Sequence, residues 1–117
     1  MNRRFLALSL ALALSAPAQA SGGLVCRTAG ERPIQVSLVI GHTAVSSVVS
    51  ARRNETGRDV PVILAQAWLD PSELRLDLTD RNAVRHELRL RTKAMGGSYD
   101  GSLWRHGKRH WVRCREG

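Results

Sequence analysis

The part of this chain beyond residue 20 reads as an all-β domain. The expected form is a small antiparallel up-and-down barrel of about eight strands whose N- and C-terminal strands are joined by a disulfide. Three observations predict it. Short segments alternating apolar and polar residues recur every 8 to 12 positions between turn-forming residues. The only two cysteines, Cys26 and Cys114, stand near opposite ends of the region. The first twenty residues read as an export signal, which would deliver the chain to a compartment where thiols oxidise.

Residues 1–20 have the three zones of a secretory leader: a basic start at Arg3-Arg4, an apolar run from Phe5 to Ala16, and a small-x-small cleavage pattern at Ala18-Gln19-Ala20. The run is well short of the ~20 apolar residues a membrane-spanning helix needs. No longer apolar stretch follows, so residues 21–117 are expected to carry no transmembrane segment and to form a single domain in the periplasm or outside the cell. Domains of this size bury a modest core and often rely on a covalent staple. A Cys26–Cys114 bridge would close a long loop and contribute roughly 4 to 5 kcal/mol in the chain-entropy account. A metal site would require further ligands at tetrahedral spacing, and none can be read around either cysteine.

The strands follow in order. Leu24 to Thr28 opens the domain. Ile34, Val36, Leu38 and Ile40 alternate with polar or smaller residues, and Gly41-His42 reads as a tight turn. Thr43 to Ala51 is ambiguous, because Val45, Val48, Val49 and Arg52 also suit a short helix; its Ser and Val content tilts it to strand. Asn54 to Asp59 reads as the longest and most mobile polar loop, Val60 to Leu69 as the next strand, and Asp70-Pro71-Ser72-Glu73 as a turn. Leu74, Leu76 and Leu78 then alternate with Arg75 and Asp77. Val84, His86, Leu88 and Leu90 alternate with Arg85, Glu87, Arg89 and Arg91.

Charge predicts the register of the hairpin over residues 74–92. A five-residue loop, Thr79 to Ala83, sets Asp77 opposite Arg85, Arg75 opposite Glu87 and Glu73 opposite Arg89, all complementary. In the last hairpin, Gly107-Lys108 as a type II′ turn pairs Trp104 with Trp111, Leu103 with Val112, Gly101 with Cys114 and Asp100 with Arg115. Leu103, Val112 and Cys114 then face the core, and both tryptophans face outward. Consecutive antiparallel strands with tied ends point to a closed or nearly closed barrel. A two-sheet β-sandwich is the alternative, since alternation alone does not separate the two.

Charge is unevenly distributed. Residues 21–80 carry six arginines against seven carboxylates, whereas residues 81–117 carry ten Lys and Arg against three. A local basic excess favours anionic partners. The histidines do not assemble into a site: His106 and His110 fall on opposite faces of the expected hairpin, His86 on an apolar face and His42 in a turn. Asp77, Glu73, Glu87 and Asp100 already have expected arginine partners. No G-x-S-x-G serine and no glycine-rich phosphate loop occur. Asn54-Glu55-Thr56 matches a glycosylation sequon that is short enough to arise by chance.

The sequence thus offers no catalytic residue, metal ligand or cofactor site. The reading is therefore a non-enzymatic exported domain. The candidate site is the outer face of the last hairpin, where Trp104 and Trp111 lie among Arg105, Lys108, Arg109, Arg113 and Arg115, able to stack on a ligand and meet its negative charge. The expected partner is an anionic component of the cell envelope, either a lipid head group or a polysaccharide, with nucleic acid disfavoured. The alternative is a protein–protein module, such as an inhibitor of a secreted enzyme. The competing structural explanation of the hairpin is that arginine stems simply cover the indole rings.

Overall fold

The computed structural model describes residues 22–41 and 47–117, and the expected leader at 1–20 lies outside them. Nine antiparallel strands form one curved sheet: β1 Gly22–Thr28, β2 Ile34–Gly41, β3 Ser47–Glu55, β4 Arg58–Val60, β5 Ile63–Leu69, β6 Glu73–Thr79, β7 His86–Ala94, β8 Tyr99–Arg105 and β9 Lys108–Glu116. Their order across the sheet is β4-β3-β2-β1-β9-β8-β7-β6-β5. The chain thus begins and ends in the middle of the sheet, where β1 pairs with β9, and winds outward to the two edges. The result is an antiparallel half-barrel.

Cys26 and Cys114 face each other across the β1–β9 pair and are disulfide-bonded, as expected. Both are fully buried. Around them the inward positions of the alternating strands form the core: Ile34, Val36 and Leu38 from β2; Leu74, Leu76 and Leu78 from β6; Leu88 and Leu90 from β7; Leu103 from β8; and Val112 from β9. Val84 and His86, expected on that same apolar face, are exposed instead.

The segment read as one strand from Val60 to Leu69 is two. Pro61 has no N–H to contribute to a ladder, and Pro61-Val62 separates β4 from β5, which then leave for opposite edges of the sheet. This break raises the strand number from eight to nine and leaves the barrel open. Both edges are blunted: β4 has only three residues, and β5 is irregular between Leu64 and Gln66. The supposed long loop at Asn54–Asp59 is a tight hairpin with Thr56 and Gly57 in the left-handed region. Asn54 supplies its turn chemistry by accepting a hydrogen bond from the Gly57 amide at 3.1 Å. Of the ambiguous segment, Ser47 onward is strand, while residues 42–46, including the expected turn residue His42, lie outside the described residues.

Both hairpin registers differ from expectation. Between β6 and β7, Asp77 stands opposite Arg89, Arg75 opposite Arg91 and Glu73 opposite Lys93. Asp80 organises a longer loop: its carboxylate accepts hydrogen bonds from the amides of Val84 (2.8 Å) and Arg85 (3.2 Å), and Ala83 adopts a positive φ. Leucine then pairs with leucine across the strands. Between β8 and β9 the turn is His106-Gly107, both at positive φ (52° and 72°), the signature of a type I′ rather than a type II′ turn. Histidine enters that region more readily than most residues, and a I′ turn matches the strands' own twist. The register moves by two, so Ser102 faces Trp111, Trp104 faces Arg109 and Asp100 faces Arg113. A shift of two preserves the faces, so both tryptophans remain on the outside.

At Gly101 the β7 backbone lies close against β8. A Cβ there would collide with the Arg91 carbonyl oxygen and the Thr92 Cα, so this strand position accepts no side chain.

Candidate functional site

The outer face of the last hairpin is assembled by alternation. On β8 and β9, Trp104 and Trp111 project outward and are 36% and 52% exposed. They lie diagonally, because each stands opposite Arg109 or Ser102 rather than opposite the other. Arg109, Arg113 and Arg115 share the face, whereas Lys108, expected among them, stands opposite Arg105 and has the other parity. The Arg109 Nε donates to Ser102 Oγ at 2.6 Å. Arg113 makes a two-pronged ion pair with Asp100, Nε to Oδ1 at 3.0 Å and Nη2 to Oδ2 at 2.8 Å. Those bonds hold the Asp100 carboxyl below the usual carboxylate range and push the Arg113 guanidinium further up.

Arg105 does not belong to this face. It points to the interior, where its Nη1 meets Glu55 Oε1 at 2.7 Å. Glu55 also takes the Nε of Arg53 at 2.6 Å, and Arg53 Nη1 donates to Glu87 Oε1 at 2.9 Å. Two guanidiniums and two carboxylates thus tie β3 to β7 and β8 across one end of the half-barrel. Glu87 reaches this network because the β6–β7 ladder is irregular at Leu78/Thr79, which re-aims it inward. Arg53 itself is 2% exposed.

The cationic face extends well beyond the hairpin. The ladder registers place Trp68, Arg75, Arg91, Ser102 and Trp111 in one row across five strands. Gln66, Asp77, Arg89, Trp104 and Arg109 form the row beside it. Trp68 is 49% exposed, so all three tryptophans of the chain lie on the outside. Asp77 is buried beneath Arg89 and Arg91. Burial raises the affinity of its carboxyl for a proton, but the hydrogen bonds from the two guanidiniums prevail and hold it below the ordinary range. Sequence reading did not find Trp68, Arg75, Arg89 or Arg91 as members of the face. The alternation of arginines along β7 was the available signal, and only the register links it to β8 and β9.

Trp68 differs from the other two indoles. Its Nε1 donates to Asp70 Oδ2 at 2.7 Å, and Arg75 lies over its ring, 5.6 Å from the centroid. Among the described residues this is the one guanidinium seated over an indole ring. Asp70 also accepts from the Ser72 hydroxyl at 2.8 Å and from the Ser72 and Glu73 amides, and this ring of donors, led by the Ser72 hydroxyl, lowers its pKa to about 2.

At the end of the half-barrel away from the ion network, a cavity of about 800 Å³ is lined by Leu24, Ile40, Leu69, Pro71, Tyr99 and Cys114, among others. The Tyr99 hydroxyl is engaged, donating to the Asp70 carbonyl oxygen at 2.8 Å. Burial, with the charge of Asp70 adding to it, raises the Tyr99 pKa. Among the described residues no three His, Cys, Asp or Glu side chains gather into a metal-binding group, and no helix is long and apolar enough to cross a membrane. His106 occupies the turn and His110 stands opposite Leu103. The chain matches no family model, and no curated protein or solved structure shows significant similarity to it.

Proposed function

We propose that this is an exported, non-enzymatic β-domain that holds an anionic component of the cell envelope on the outer face of its β8–β9 hairpin. The observation that carries the reading is the pair Trp104 and Trp111, 36% and 52% exposed beside Arg109, Arg113 and Arg115. Burying an indole is favourable, so leaving two of them on the outside of a small domain forgoes stabilisation of about 1.5–3 kcal/mol per large apolar side chain. An aromatic platform beside guanidiniums is the arrangement that recovers this loss when a ligand with a flat face and a negative charge arrives. Arg109 and Arg115 share that face and have no carboxylate partner among the described residues, so their charge is available. The disulfide agrees with export into an oxidising compartment.

The test is retention of the purified, disulfide-bonded protein on an acidic polysaccharide and on anionic vesicles. Binding should weaken steeply as salt rises. Reversing Arg109 and Arg115 to Glu should abolish it, and Arg113 is left intact because Asp100 requires it. Equal binding by the reversed-charge variant, or no binding to any anion at low salt, would reject the reading.

A further inference from the structure

A hollow of about 400 Å³ lies against Trp111 on the outer side of the seam between β1 and β9, lined also by Val25, Arg27, Arg113 and Arg115. Register explains the gathering. Val25 stands opposite Arg115 and Arg27 opposite Arg113, all with the outward parity that Cys26 and Cys114 lack. Like charges directly opposite each other on paired strands are destabilising. The two guanidiniums lean apart: Arg113 is held on the β8 side by Asp100 at 2.8 Å, and Arg27 donates to Gln35 Oε1 on β2 at 3.1 Å. Asp100 neutralises Arg113, but Gln35 carries no charge. Neither Arg27 nor Arg115 has a carboxylate partner among the described residues. Glu116 also borders the hollow, with the inward parity of Cys114.

We infer that this hollow holds a phosphate monoester carried on a ring, with the ring against the Trp111 indole and the phosphate between Arg27 and Arg115. Among envelope components that chemistry belongs to a phosphorylated sugar, free or as a lipid head group. The inference rests on the anion-binding reading above and deepens it, by naming the ligand's class and by adding Arg27, from β1, to the site. Charge decides the class. Two uncompensated guanidiniums match a dianion, and a phosphate monoester carries about −1.5 to −2 near neutral pH, where a carboxylate or a sulfate ester carries a single charge. Its three oxygens can accept from both guanidinium forks at once. Geometry allows it, because Arg27 is the diagonal neighbour of both Arg115 and Trp111, and such neighbours lie roughly 7–8 Å apart, within reach of long side chains. The volume is near the low end of the roughly 300–1,000 Å³ of small-molecule sites, which suits one ring and its substituent.

The test titrates the purified, disulfide-bonded protein by calorimetry at low salt and neutral pH with glucose 6-phosphate, glucose 6-sulfate, inorganic phosphate and glucose. Vesicles containing phosphatidylinositol 4-phosphate are followed by sedimentation. Glucose 6-phosphate should bind about tenfold more tightly than glucose 6-sulfate, which has the same shape and one charge, and glucose should not bind. Arg27→Gln should weaken glucose 6-phosphate about tenfold, the scale of one hydrogen bond to a charged group, and leave thermal unfolding unchanged because Arg27 is exposed. Trp111→Ala should keep inorganic phosphate binding and remove the advantage of glucose 6-phosphate over it. Vesicle binding that falls in both variants identifies a lipid-borne sugar, and binding of glucose 6-phosphate without vesicle binding identifies a free one. Equal affinity for the sulfate and the phosphate, or full binding by Arg27→Gln, would overturn this inference. The anionic reading would then still stand if reversing Arg109 and Arg115 abolished binding. No anion bound at low salt would overturn both.

Discussion

The inner end of the half-barrel and its outer face are both built on arginine, and they use it in opposite ways. Inside, Arg53 and Arg105 are matched by Glu55 and Glu87, so the charges cancel and the network acts as a strut between β3 and the β7–β8 pair. Outside, the arginines outnumber the acids, lie against solvent and frame exposed tryptophans. One strand supplies both settings: Trp104 faces outward and Arg105, next to it, faces inward. Arginine content alone therefore says little about function. What matters is whether a carboxylate of the same fold is already in reach.

Perturbations should divide along that line. The largest effect is expected from the inner side at the staple. Replacing Cys26 and Cys114 together by Ser should lower stability by about 4–5 kcal/mol, visible as an earlier midpoint in urea denaturation. A midpoint unchanged from that of the oxidised protein would show that the staple is dispensable. Next is the ion network, where Arg53→Ala leaves Glu87 without its buried partner and Glu55 with Arg105 alone, and should cost about 3–5 kcal/mol. The contrasting substitution, Arg115→Ala on the outer face, should move thermal stability by no more than about 0.5 kcal/mol. Comparable losses from the two variants would show that inner and outer arginines contribute alike to stability.

The smallest effect is expected from acid. Asp70, Asp77 and Asp100 all have carboxyls held below the ordinary carboxylate range by their donors, so the folded state binds protons more weakly than the unfolded chain. Their stabilisation is complete above the unfolded pKa of about 3.9 and disappears as pH falls through the folded values, which for Asp70 means toward about 2. Trp68 provides the probe, because its indole N–H is bonded to Asp70. Its fluorescence should change between about pH 4 and pH 2, and Asp70→Asn should remove that component. An identical acid transition in the variant would dissociate Trp68 from Asp70.

Much of the fold was legible because alternation is a local signal. Leu74, Leu76 and Leu78 could face the core in a strand only with Arg75 and Asp77 turned out, whatever partners they found. Register was harder. Directly opposite charge pairs do not set the 74–92 register, because Asp77 collects Arg89 and Arg91 together while Arg75 and Arg91 stand opposite each other. Asp80 was the missing clue, since a carboxylate able to cap two amides stabilises a longer loop than charge pairing alone would choose. Within the candidate site, the outward direction of Trp104, Trp111, Arg109, Arg113 and Arg115 followed from parity. Arg105 broke the pattern because it has the opposite parity and Glu55 awaits it, on a strand far away in sequence.

By itself the sequence determined the strand class, the faces of most strands and the pairing of its only two cysteines, because period-two alternation and a count of thiols require no knowledge of distant neighbours. Only the tertiary structure decided where the sheet opens, which arginines are neutralised and which remain free, and that Trp68 shares a row with Trp111. Those outcomes depend on register between strands remote in sequence, and register is set by turns, bulges and Pro61, whose effects combine only when the whole sheet is assembled.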